Sequence, residues 1–156
     1  IVMLDIDDFT DANNIPDEDL LSFGIWKSLS TDPEAEKYPI NDKGIRLVPF
    51  SDVIQQINKY FNITKTILPK PTPPFDYNFT EDNFIIPSLG FTDACYPEVT
   101  NVTRSANIVI LDVNYYSIED YINADEPAKI SKRKSIVLTM TGKETKYKIV
   151  SLKTKK

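Results

Sequence analysis

Ala106-Asn107-Ile108-Val109-Ile110-Leu111-Asp112-Val113-Asn114-Tyr115-Tyr116 is the most regularly patterned segment of the chain. Val109, Leu111, Val113 and Tyr115 fall on one face of an extended chain, Ile108 and Ile110 on the other, followed there by Asp112 and Asn114. Alternation with a period of two is the mark of a strand. The pattern predicts a strand covered on both faces in its first half and on one face in its second.

Ile136, Leu138 and Met140 alternate in the same way, and Tyr147 to Leu152 reads as a return strand. Gly142-Lys143 fits a two-residue hairpin turn between them. Ser117-Ile118-Glu119-Asp120 carries an N-terminal helix signal, and Ile118, Tyr121 and Ile122 predict one or two helical turns. Upstream, residues 87–97 read as a loop holding Gly90 and Cys95. Tyr77 to Ile86 reads as a hairpin around Glu81-Asp82, residues 63–68 as a strand, and Pro69 to Pro74 as a stiff extended connection.

Two helices precede these strands. The first begins near Pro16 or Asp17, where Asp17-Glu18-Asp19 complements the positive end of the helix dipole. Leu21, Ile25 and Leu29 give it a stripe, with Leu20 and Trp26 alongside, and Asp32-Pro33 ends it. The second follows Pro49-Phe50, with Ser51 as N-cap, an apolar face of Val53, Ile54, Ile57 and Phe61, and Asn62 at its end. Between the helices, Tyr38-Pro39-Ile40 and Ile45-Arg46-Leu47-Val48 flank Asn41-Asp42-Lys43-Gly44, which predicts a small hairpin. Helices first and antiparallel strands afterwards predict an α+β class. The chain, 1–156, reads as a single domain with an acidic N-terminal segment over 1–15, its two N-terminal helices packed on a curved antiparallel sheet.

Composition narrows the chemistry. The chain is 41% hydrophobic and 26% charged, which is globular rather than disordered. It has no histidine and one cysteine. That excludes a Ser-His-Asp triad, a Cys-His pair and a zinc site of ordinary make-up. No Gly-rich phosphate loop and no zinc-finger or aromatic RNA-binding signature is present, and no partner nucleic acid is expected. No run reaches the length of a membrane span. The net charge of −5 hides an asymmetry, since residues 129–156 carry ten Lys or Arg against Glu144 alone. Such lysines line the solvent face of terminal strands and discourage edge pairing; the competing reading is an anionic surface bound through Lys129 to Lys156.

Two acidic constellations near the N-terminus carry residue types that catalysis or metal binding uses. Val2-Met3-Leu4-Asp5-Ile6-Asp7 resembles the apolar strand and Asp-x-Asp of haloacid-dehalogenase-like phosphotransferases, but Phe9 stands where that family has Thr and no later Gly-Asp-x-x-x-Asp follows. Asp5, Asp7, Asp8 and Asp11 also cluster, yet Phe9, Thr10 and Pro16 occupy the positions at which an EF-hand needs an oxygen, Gly and Glu. The cluster reads as a solvated acidic segment; the alternative is a histidine-free carboxylate-based or metal-dependent enzyme using it. No catalytic residue, metal site or cofactor is assigned. Cys95 lies beside Asp93 with no basic neighbour to favour a thiolate, and reads as a small buried apolar side chain. Trp26, Tyr115, Tyr116 and Tyr121 are the candidate aromatics of a ligand pocket.

The segment from about 17 to 62 resembles small exported Gram-positive NTF2-like or cystatin-like lipoprotein domains, the secreted inhibitors of cell-wall DL-endopeptidases among them. The resemblance rests on Trp26, then Lys43-Gly44-Ile45-Arg46-Leu47-Val48-Pro49, then Val53 to Phe61, under a third of the chain. It implies a cystatin-like or NTF2-like fold and a secreted or membrane-anchored location. The partner it implies is an envelope protein or a small ligand. The chain begins Ile1-Val2-Met3, from which a removed leader or lipid anchor is expected, the membrane being reached only through it. The resulting expectation is a non-enzymatic extracytoplasmic binding or protein-interaction domain.

Overall fold

The computed structural model describes residues 6–29, 37–87, 95–117, 129–141 and 146–155, without the side chains of Cys95 and Thr141. The protein is α+β, with two helices and two antiparallel sheets. It folds as two compact units. One comprises Pro16–Lys59 and Ile63–Gly90, the other Ile1–Ile15, Tyr60–Asn62 and Phe91–Lys156.

The first of these units holds both helices. Helix α1, Asp17–Leu29, starts on the three acids predicted for it. Leu20, Leu21, Phe23, Gly24, Ile25 and Ser28 are all buried, so burial extends well beyond the predicted stripe. Ser28 donates its hydroxyl proton to the Gly24 carbonyl, 2.9 Å away, which satisfies a buried polar group within the helix. Gly24 lies against the second helix, since a Cβ there would stand 2.7 Å from both Val53 Cγ1 and the Val53 carbonyl. Only a residue without a side chain permits that approach.

Strand β1, Ile45–Pro49, leads directly into α2, Phe50–Tyr60. Ser51 therefore lies inside the helix rather than capping it. The orphan amide of Phe50 is taken up by the Asp82 carbonyl at 3.0 Å. Val53, Gln56 and Ile57 are its buried residues. The predicted hairpin between residues 38 and 48 is corrected. Its turn forms, with Asn41 Oδ1 accepting from the amides of Lys43 and Ile45 and Gly44 at φ 73°. Residues 38–40 are not a strand, however, and β1 pairs instead with β3, Asn83–Pro87, setting Val48 opposite Phe84. Strand β2, Asp76–Asn78, completes a three-stranded sheet of order β1-β3-β2, as the hairpin around Glu81-Asp82 predicts. Residues 63–68 form no strand: Ile67 is buried but Leu68 is 66% exposed, and no described strand pairs with them.

The second unit is built on a four-stranded meander. Strands β4, Cys95–Ser105, β5, Ile108–Ser117, β6, Ile130–Thr141, and β7, Lys146–Thr154, lie side by side in chain order. Strand β4 corrects the loop predicted up to Pro97. On β5 the expected face is buried at Val109, Val113 and Tyr115, whereas Ile108 on the other face is 42% exposed, so the first half is not covered on both sides. The core face continues through Ile136, Ile149 and Leu152, and Phe9 meets Phe61 there edge to face at 6.2 Å. The helical turns predicted after Ser117 and the Gly142-Lys143 turn lie outside the described residues.

Candidate functional site

The functional geometry of the meander is concentrated at its two outer edges. At the β7 edge, Phe9 makes a two-bond bridge with Leu152, its amide donating at 3.0 Å and its carbonyl accepting at 2.9 Å. Phe61 adds a parallel bridge to Ile149. Asp8 closes the end of the strand, accepting from the Thr154 amide at 2.8 and 2.9 Å and from its hydroxyl at 2.7 Å. Those bonds, the backbone one foremost, hold the Asp8 carboxyl below its ordinary range. Beneath this segment the ammonium of Lys134, a buried residue of β6, donates to the Ile6 carbonyl at 2.6 Å.

A cleft of about 630 Å³ opens beside the same edge. Strand β7 bulges there, because Val137 pairs with Ser151 while the next residue, Leu138, pairs with Ile149, leaving Val150 as the extra residue. Thr10, Asp11, Asn13, Asn62, Thr139 and Lys148 supply its polar lining. Thr139 and Lys148 are direct partners in the ladder and so share a face. Lys148 donates to the Phe61 carbonyl at 3.3 Å, and burial lowers its pKa. Asp11 accepts from the amide and side chain of Asn13, both through Oδ1, and those bonds hold its pKa below the ordinary value.

The β4 edge is different. Strand β4 pairs with β5 on one side, and no described strand pairs with the other. Tyr96, Val99 and Val102 are 44%, 51% and 48% exposed. The ladder slips between Val99 and Asn101, and the hydroxyl of the extra residue, Thr100, donates to the Asp112 carbonyl at 3.2 Å. The strand therefore has eleven residues of extended backbone with one side turned from its own sheet.

The four predicted pocket aromatics fall in different places. Trp26 is half-buried on α1, edge-on to Phe75 at 5.4 Å. Tyr115 is buried on the core face of β5, and its carbonyl accepts from the Ser131 hydroxyl at 2.8 Å. Tyr116, its neighbour, points to the other face, where its hydroxyl donates to Glu98 at 2.7 Å. Tyr121 lies outside the described residues. Of the acidic cluster, Asp5 lies outside them too, Asp8 holds Thr154, and Asp11 caps the 3-10 turn Ala12–Asn14. Among the described residues, no three His, Cys, Asp or Glu side chains gather as a metal ion requires. Residue-by-residue reading missed both β4 and Lys148. The β-branched run Val99-Thr100-x-Val102-Thr103 was the available signal for the strand. Nothing local marks Lys148, which reads as one more outward lysine.

No protein-family model, curated protein or solved structure matches the chain.

Proposed function

We propose that this chain is a non-enzymatic, extracytoplasmic binding or protein-interaction domain that receives an extended segment of an envelope protein along the outer edge of β4. The observation that carries the reading is the β4 edge itself. Its outer side, which no described strand pairs, and its exposed Val99 and Val102 are what strand addition uses, main-chain hydrogen bonds for affinity and side chains for selection. Exposed edges are normally blunted because they invite pairing.

The proposed occupant is a different chain, since the self-pairing register centred on Asn101 offers no charge complementarity. Two copies paired antiparallel about Asn101 would set Glu98 opposite Arg104. The bulge at Thr100 places these residues on opposite faces, because Glu98 pairs with Asn114 and Arg104 with Val109 on the regular strand β5. Self-pairing therefore gains no ion pair.

A cystatin-like or NTF2-like arrangement is part of the proposal. It is supported by the element order, with helices preceding a meander, and by the resemblance of residues 17–62. Export and a removed leader or lipid anchor rest on that resemblance and are tested by mass spectrometry of the native N-terminus in each cell fraction.

The site is tested by photo-crosslinking in native cells, with the probe at Val102 on β4 or at Val150 on β7, two positions of comparable exposure. The expected result is a discrete adduct from Val102, absent from Val150 and abolished by Val99→Lys. Equal adducts from both positions, or none from Val102, refute the β4 site.

A further inference from the structure

The cleft at the β7 bulge is not used by the β4 edge, and it carries a chemistry of its own. From its lining we infer that it is a binding site for a small hydroxylated carboxylate of the sugar-acid class, with Lys148 receiving the carboxylate and Thr10, Asn13, Asn62 and Thr139 the hydroxyls. A volume of about 630 Å³ is of the size that holds a small organic ligand.

Charge selects within that class. Lys148 contributes a cation to the lining, and Asp11 an anion. A ligand with a single negative charge meets the ammonium without a second charge to place near Asp11, whereas a phosphate dianion carries the extra repulsion. Asp11 takes both of its Asn13 bonds on Oδ1, which leaves Oδ2 to accept from a hydroxyl. The two Asn amides and the two Thr hydroxyls each donate and accept, as a polyol requires. The bond to the Phe61 carbonyl at 3.3 Å holds the Lys148 ammonium at the cleft, where it can add a charge-assisted bond to an arriving carboxylate. The Val150 bulge displaces the ladder at this point, the usual place for a strand to re-aim a side chain at a site.

Calorimetric titration of the full chain with D-glucuronate, glucose and acetate tests the site. Glucuronate is expected to bind saturably in the millimolar range, with glucose and acetate each weaker by about tenfold or more. Lys148→Met is expected to weaken glucuronate by about tenfold while Lys148→Arg retains most of it. Thr139→Val, opposite Lys148 in the ladder, is expected to weaken it several-fold and reads the same contact if Lys148→Met does not fold. Absence of saturable glucuronate binding, equal affinity for glucose, or a glucuronate affinity unchanged by both Lys148→Met and Thr139→Val overturns the inference.

Discussion

The two outer edges of one four-stranded sheet are treated in opposite ways. The β7 edge is closed by its own chain: Phe9 bridges Leu152, Phe61 bridges Ile149, and Asp8 holds Thr154. The β4 edge has no such cover among the described residues, although it is the longer strand and exposes Tyr96, Val99 and Val102. An unpaired backbone edge is a liability that proteins manage explicitly. The same sheet that spends an aromatic, a carboxylate and a buried segment on one edge leaves the other to a bulge, Pro97 and scattered polar residues. On the proposed function a partner strand adds at the β4 edge, the β7 edge being bonded already to residues of its own chain.

The strongest way to break the contrast is to open the closed edge. Phe9 is 7% exposed and packs on Phe61. Phe9→Ala is expected to cost about 3 kcal/mol, the scale of a large-to-small core change, measured by urea unfolding. It should also release the outer edge of β7, seen as faster exchange of the Leu152 amide.

Asp8→Asn is a smaller blow to the same edge. A cost of about 1 kcal/mol is expected, the screened end of a hydrogen bond to a charged group, since Asp8 is exposed. The sign with pH follows from the lowered pKa. The carboxylate contributes its full stability above the ordinary Asp range, and the contribution is lost as pH falls through the folded-state value below that range. Acid titration of stability should therefore show a larger loss in the parent than in Asp8→Asn. Equal slopes would remove Asp8 from the account.

The smallest effect sharpens the open edge. The β4–β5 turn places Ala106 at φ 50°, a conformation that favours glycine. Ala106→Gly is expected to gain about 0.5 kcal/mol by relieving that strain, and to leave the β4 edge exposed as before. A loss of stability would mean that Ala106 contributes contacts that the turn geometry does not reveal.

What the sequence made legible followed from patterns that the chain could complete locally. Strand β5 and the Ile136–Met140 alternation were readable because their side chains alternate without interruption, and α1 because acids, stripe and stop agree. Strand β4 was not, since the extra Thr100 throws Val99 and Val102 out of the two-residue period and Pro97 argues against a strand. The turn at Asn41–Gly44 was readable, but not its consequence, because β1 pairs across about forty residues with β3 to bury Val48 on Phe84. Tertiary hydrogen bonding also hid the roles of the acids. Asp8 reads as part of a solvated run, yet its partner is Thr154, near the other end of the chain. The cleft shows the same limit, since Thr10, Asn62 and Lys148 come together only once β7 acquires its bridges and bulge.

Amide hydrogen exchange of the free chain, resolved residue by residue across the meander, tests the central contrast most directly. The Leu152 and Phe9 amides, bonded to each other's carbonyls, are expected to be protected, while the outward amides along Glu98–Ser105 are expected to exchange at close to unprotected rates. Protection of those β4 amides equal to that of Leu152 would show that the edge is already occupied, and would contradict its assignment as the open, partner-binding side of the sheet.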